Sequence, residues 1–265
     1  MSQVSTIIPY YNGGETVVRA IDSVIDNPAC LEVLLVVDAS PQPLAPFLTD
    51  RHRAAITQGK LRVIESNTNL GQAAARNMGV AISHAPFVSF MDQDDMYLPM
   101  FCEELSAALH ASPDFAAVEC GAHIVKNGAN ALDMADPRYQ AVMNSVPWNV
   151  LVRRHAFWQA GAFPVDSGFR AKPAGEDMVF KHALKHFFTV GSDLSRQLVR
   201  HHLRDGSATD NYLNRTEVVD GGIVFKGEFE DEKNGQWSAA MNRHWEGLVR
   251  DFAMHSALRS ETRAG

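Results

Sequence analysis

The stretch FVSFMDQDDMYLP, residues 87–99, begins as an apolar run and ends in three carboxylates, Asp92, Asp94 and Asp95, parted only by Gln93. A short apolar run broken in this way reads as a buried strand whose carboxyl end emerges at a polar edge. Three like charges at that spacing repel one another, and each resists losing its hydration. A hard divalent cation, Mn2+ or Mg2+, relieves the crowding, held by one or two carboxylates and completed by substrate phosphates. In extended backbone Asp92 and Asp94 point the same way and can share one ligand, whereas Asp95 starts the turn. The competing reading is a solvated acidic turn that caps the helix near Pro99.

Towards the N-terminus, strand and helix signals alternate. VSTIIP (4–9), LEVLLVVD (31–38) and LRVIES (61–66) read as buried strands. Between them, GETVVRAIDSVIDN (14–27) puts Val17, Val18, Ile21, Val24 and Ile25 on one helical face, and Pro28 ends it. A second helix is expected to end near Thr57, and an Ala-rich one over 71–84. Past the acidic stretch, a helix fits MFCEELSAALHAS and a strand fits 115–125. Strands separated by helices of this length predict a largely parallel α/β sheet. Ligands of such sheets bind outside the carboxyl ends of the strands. Tyr11, Asp38, residues 67–71 and the acidic triplet all follow strand ends, so they should meet at one edge.

Beyond Gly128 the pattern loosens. A loop with a short helix precedes PWNVLVRRHAFWQAGAFP (147–164), which reads as a strand and a helix ending at Gly161. A helix over 175–187 opens with acidic residues, and 188–203 reads as short strands. The segment from about 206 to 265 is polar, with a helix expected in QWSAAMNRHWEGLVRDFAMHSAL.

Composition narrows the function. Of 265 residues 46% are apolar and 21% charged, which suits a globular protein with a sizeable core. A formal charge of −7 offers no basic field for a nucleic-acid backbone, so no nucleic-acid partner is expected. Three scattered cysteines without a CxxC pair form neither a disulfide framework nor a zinc site. No run approaches the roughly 18 apolar residues of a membrane span. The expectation is a cytoplasmic protein, peripheral at most to a membrane surface.

STIIPYYNGGETVVRAIDSV, VVDASP, NTNLGQAAARNMGV, FMDQDDMYLP, LVRRHAFWQAGAFP and GEDMVF occur in the order and spacing of family two glycosyltransferases. The resemblance covers roughly residues 4–205. It implies the GT-A fold, a mostly parallel central sheet flanked by helices, with about 1–125 as nucleotide-binding half and 126–205 as acceptor half. Residues 206–265 then form a mainly helical C-terminal extension. It also implies an inverting transfer from a nucleotide-sugar donor, UDP- or dTDP-linked by preference, to an acceptor hydroxyl. The acceptor would be a glycan, a lipid-linked intermediate or a small molecule, in cell-surface glycan or polysaccharide biosynthesis.

By the same resemblance, Tyr11 lies over the nucleotide base, with Pro9 and Tyr10 lending backbone around it; stacking serves every base. Asp38 matches an acid that accepts the N3–H of a pyrimidine, although Val37 stands where many members carry another acid. Arg76 is a partner for the diphosphate or for the acidic cluster. Asp92 and Gln93 fall on the ribose side, Asp94 leads the metal ligands, and Asp95 can replace it. Asp177 matches the general base and Glu176 its orienting neighbour. At a helix N-terminus, Asp177 is expected to stay ionised. Trp148 falls on the acceptor wall, with Arg170 and Lys172 in a loop near the diphosphate. In VRHHLRDGSAT, His202 ranks ahead of His201 as completing the metal shell.

A nucleotidyltransferase or Rossmann dehydrogenase would need a Gly-rich loop after the first strand, and PYYNGGETVV has neither pattern. The non-enzyme reading is a degenerate GT-A module that binds nucleotide, glycan or a partner protein without turnover. In the tail, Trp245, Leu248 and Phe252 fall at i, i+3 and i+7. Packing on the parent domain is the expected use of that stripe; a homodimer interface or contact with a lipid-linked acceptor is the alternative.

Overall fold

The computed structural model describes residues 3–166, 169, 175–226 and 239–252. Strand β1 (Val4–Tyr10) is buried along its length except at Pro9. Helix α1 (Thr16–Ile25) buries Val17, Ala20, Ile21, Val24 and Ile25; of the expected stripe Val18 is half-buried, and Ala20 joins it. The strands β2 (Cys30–Asp38), β3 (Leu61–Ser66) and β4 (Phe87–Phe90) follow, with helices α2 (Asp50–Thr57) and α3 (Gln72–Ala81) between them. These four strands pair in parallel, in the order β3–β2–β1–β4. Parallel strands need crossovers of helical length, which the sequence supplies.

Past β4 the sheet becomes mixed. It continues through β8 (Val150–Arg153), β6 (Ala117–Lys126), β9 (Val190–His202) and β5 (Met96–Tyr97), with β7 (Ala129–Leu132) paired to β6. The pairs β4–β8, β8–β6, β6–β7 and β9–β5 are antiparallel, whereas β6–β9 is parallel. The expected short strands over 188–203 are one strand of 13 residues. Between Asp193, opposite Cys120, and Gln197, opposite Gly121, residues 194–196 bulge out of register, and pairing with β6 then resumes. The remaining helices are α4 (Phe101–Ala111), α5 (Pro137–Ser145), α6 (Arg154–Gln159) and α7 (Glu176–Phe187).

The core has two sides. One cluster joins α1, α4 and α5 to the sheet, and the other joins α3, α6 and α7 to Ile7, Val36, Val88 and Phe90. Helix α3 lies so close to β1 that a Cβ at Gly79 would stand 2.5 Å from Ile7 Cγ2. That approach fixes the height of the helix whose N-terminal turn feeds the site.

The C-terminal part holds α8 (Ala208–Arg215), a hairpin of β10 (Thr216–Val219) and β11 (Gly222–Phe225), and α9 over 239–252. The apolar stripe of α9 is turned inward. Trp245 packs on His182, His186 and Phe187 of α7, with ring centroids 5.0, 5.0 and 5.7 Å away. Phe252 stacks on Phe187 at 4.5 Å. The packing on the parent domain expected for this stripe is therefore present, with Trp245, Leu248 and Phe252 half-buried. Trp237 and Met254, also apolar, lie outside the described residues.

Candidate active site

Four strand ends and one helix N-terminus converge as the topology requires. Tyr11, just after β1, is 49% exposed, so its ring is free to stack on a base. Tyr10 is fully buried and belongs to the core; together with half-buried Pro9 it offers only backbone to the site. Gln93 clamps this strand end, accepting the Tyr11 N–H at 2.9 Å and donating to the Tyr11 carbonyl at 3.1 Å. Its side chain is a structural tie between β1 and the acidic loop, a role that sequence spacing did not reveal.

Asp38 ends β2 buried, and each carboxylate oxygen accepts a backbone N–H at 2.7 Å, from Leu70 and from Gly71. It thereby orders the loop that leads into α3, and keeps spare lone pairs for a ligand N–H.

Arg76 is the hub. Its side chain, 0% exposed, donates Nη1 to Asp177 at 2.5 Å and Nη2 to Asp92 at 2.7 Å. Burial opposes the guanidinium charge, and Asp177, Asp92 and Glu176 together raise its pKa above the ordinary value. Of the two roles expected for Arg76, the acidic cluster is the partner found. With no exposed surface, the side chain is not open to a diphosphate.

The three acids of the triplet separate in function. Asp92 is the open one, with a 32% exposed carboxylate held by Arg76. Asp94 is nearly buried; it pairs with the exposed Arg204, and its backbone carbonyl accepts from Arg19 at 2.7 Å. Burial, then the charges of Asp95 and Asp92, push its carboxyl up to about 6. Asp95 is fully buried and does not serve as an open metal ligand. Its oxygens take His201 Nδ1 at 2.8 and 2.9 Å and the His202 N–H at 2.9 Å. It anchors β9 beneath the loop.

Strand alternation decides between the histidines. His201 turns towards the acids: burial pulls its imidazolium down, but Asp95, with Asp92 and Asp94 behind it, carries its pKa above the usual range. Its Nε2 is buried without a partner among the described residues. His202, expected to complete the metal shell, turns the other way and lines a cavity of about 520 Å3 with His123 and Arg200. Trp148 is corrected too. It is 1% exposed and stacks on His201 at 5.0 Å, so it is a platform behind the loop and not an acceptor wall. Arg170 and Lys172 lie outside the described residues.

At the start of α7, Gly175 caps with φ +94°, a conformation that favours glycine. Glu176 is buried, bonded to Gln72 through Oε1, while Oε2 has no partner among the described residues. Asp177 keeps 19% of its side chain exposed. Burial pushes its carboxyl up to about 8 against the pull of Arg76, helped by Glu176 and Asp92. Desolvation and two neighbouring carboxylates therefore work against the helix dipole expected to keep Asp177 ionised, while its pairing with Arg76 works with the dipole.

Among the described residues, no three His, Cys, Asp or Glu side chains are grouped to hold a metal ion. The donor set still fits one in kind. Asp92 and Asp94 are hard oxygen donors, and burial, then the charges of Asp95 and Asp92, make the ionised form of Asp94 costly without a further cation. One or two carboxylates completed by substrate phosphates is the way Mg2+ is held. Sequence reasoning missed Arg19 and Arg204, which sit on the polar faces of α1 and the β9 exit, where nothing sets them apart from surface arginines. Among the described residues, no helix is long and apolar enough to cross a membrane.

Comparison with known proteins bears on the family and the fold. The chain is 36% identical over 99 residues to the succinoglycan biosynthesis protein ExoU of Rhizobium meliloti, a match covering 37% of this chain and 28% of that protein. It is 30% identical over 94 residues to the amylovoran biosynthesis glycosyltransferase AmsB of Erwinia amylovora, covering 34% and 30%. The chain thus spans about a third or less of these relatives' own length. Crystal structures of S. aureus TarS 1–349, alone and with UDP-GlcNAc, superpose with TM-scores of 0.61 and 0.62 at 18% and 16% identity. They cover 92% of this chain and 72–73% of TarS. Those likenesses establish a GT-A fold. The profile of glycosyl transferase family 2 matches residues 5–165, well over half of the sequence, and the chain belongs to that family.

Proposed function

We propose that this protein transfers a sugar from a nucleoside-diphosphate donor, UDP- or dTDP-linked, to an acceptor hydroxyl with inversion at the anomeric carbon. The setting proposed is cell-surface glycan or polysaccharide biosynthesis, as the names of ExoU and AmsB suggest. The observation that carries the reading is Arg76, one buried guanidinium joining the donor-side Asp92 to the acceptor-side Asp177. It sets the two carboxylates of a displacement reaction within one side chain of each other. Residues up to about 125 then serve the nucleotide and 126–205 the acceptor.

In this mechanism Tyr11 stacks on the base and Asp38 accepts its ring N–H. Asp177 takes the proton of the acceptor hydroxyl as that oxygen attacks the sugar. The unpartnered Oε2 of Glu176 accepts from the same acceptor and holds it in line. Arg76 fixes the orientation of the base without being consumed. A Mn2+ or Mg2+ ion would be held by Asp94 and Asp92, where it supplies Lewis-acid stabilisation to the departing diphosphate. Nearly buried Asp94 makes this a site of low dielectric, in which such charge is worth more than in water.

The test is calorimetry with UDP, dTDP and GDP, each with and without Mn2+, on the wild type and on Asp94→Ala, followed by hydrolysis of the corresponding nucleotide sugars. Pyrimidine-selective, metal-assisted binding that Asp94→Ala abolishes is the expected result. Binding without any turnover would replace the transferase by a degenerate binding module. No binding at all would reduce the acidic loop to a helix cap.

A further inference from the structure

Lys181 lies one turn along α7 from Asp177 and is 0% exposed. Its Nζ stands 2.8 Å from Glu119 Oε1 on β6, and donates to Asn149 Oδ1 at 2.7 Å and to the Met143 carbonyl at 2.5 Å. Two ammonium protons are thus placed in hydrogen bonds, and the Glu119 contact is an ion pair whose Oε1 accepts no hydrogen bond among the described residues. Glu119 Oε2 meets Lys185 Nζ at 2.8 Å, and Asn149 Nδ2 donates to the Cys120 carbonyl at 3.0 Å. The network therefore ties α7 to β6, to the end of α5 and to the entrance of β8. Asn149 is followed back along the chain by Trp148, whose ring stacks on His201, and His201 holds Asp95. A buried ion pair is rarely the most stabilising filling for a core, since apolar residues of similar volume do as well or better. Its use here is geometric.

We propose that Lys181 is a positioning residue: it fixes where α7 presents Asp177 relative to the acidic loop, through Asn149, Trp148 and His201. The inference rests on the reading of Asp177 as the base. The charged groups that face Asp177 are Arg76 from α3, Asp92 from the loop after β4, and Glu176 and Lys181 from its own helix. Facing Lys181 are Glu119 and the uncharged Cys120 thiol from β6 and Lys185 from α7. Among the groups named, Arg76, and then Lys181, draw the Asp177 carboxyl downward.

The experiment uses the full chain as wild type, Lys181→Met and the charge-neutral pair Lys181→Met with Glu119→Gln. The double variant leaves no unpaired buried carboxylate and preserves the fold if the single one does not. The Asp177 carboxyl is followed by 13C NMR titration, assigned with Asp177→Asn, and hydrolysis of a UDP-sugar gives kcat and KM. The expected result is an upward move of the Asp177 midpoint by about half a unit or more. With it should come a fall in kcat of about tenfold or more at unchanged KM, because a misplaced base loses rate and not donor binding. An unmoved midpoint and unchanged kcat in a variant that melts like the wild type would overturn the proposal. A wild type that binds and hydrolyses no nucleotide sugar would remove the transferase reading instead, while the titration would still decide what Lys181 does to Asp177.

Discussion

Asp177 titrates beside a guanidinium that stays charged, and its behaviour follows from the burial of both. A base must be deprotonated to act, so with its carboxyl pushed up to about 8, kcat/KM should rise with pH through about 8 and level off above it. The linkage runs the opposite way for stability. A carboxyl whose folded pKa exceeds its unfolded value favours folding while protonated, and that contribution is lost from the ordinary carboxylate range up to about 8. Activity and stability should therefore trade against each other across the same window. Arg76→Met removes the strongest downward pull on Asp177. The expected outcome is an acid limb displaced to higher pH and at least about a hundredfold loss of rate at pH 7, read from the pH–rate profile. An unshifted limb would show that Arg76 does not govern the base.

At the scale of elements, the sequence discloses what is periodic and hides what is reciprocal. The stripe of Val17, Ile21 and Val24, the apolar runs of β1 to β4 and the break at Asp92 were all readable, because burial imposes a period on residue type. The two-residue β5 was not, since Met96–Tyr97 carries no period at all. The continuation of β9 past Asp193 was also hidden, because residues 194–196 bulge out of register and pairing with β6 resumes only at Gln197. Likewise three adjacent acids look equivalent in sequence. Only the fold shows that Asp95 belongs to His201, Asp94 to Arg204 and Asp92 to Arg76. Gly79 shows the same limit, for a glycine in an Ala-rich helix gives no hint of Ile7 lying 2.5 Å from its missing Cβ. Gly79→Ala should raise intrinsic helix propensity yet lower the melting temperature, with an overpacking cost of about 1–3 kcal/mol by calorimetry. A melting temperature at or above the wild type's would mean that α3 can lift from β1 freely.

Across the whole molecule, α7 is held between the core and α9, with Phe180 and Leu184 on the inner side and Phe187 against Trp245 and Phe252 on the outer. Phe252→Ala should lower stability by about 1–2 kcal/mol for a half-buried ring, measured by urea unfolding, with no change in sedimentation. A change in oligomeric state with stability intact would return α9 to the role of an interface. The same linkage of distant parts recurs at Asp38, whose two oxygens hold amides 32 and 33 residues further along the chain. A ligand N–H that reaches this carboxylate must share electron density with the Leu70 and Gly71 amides. Those two protons will sense occupancy they never touch, so the base subsite proposed at Asp38 carries its own spectroscopic reporter, legible before any donor sugar is known.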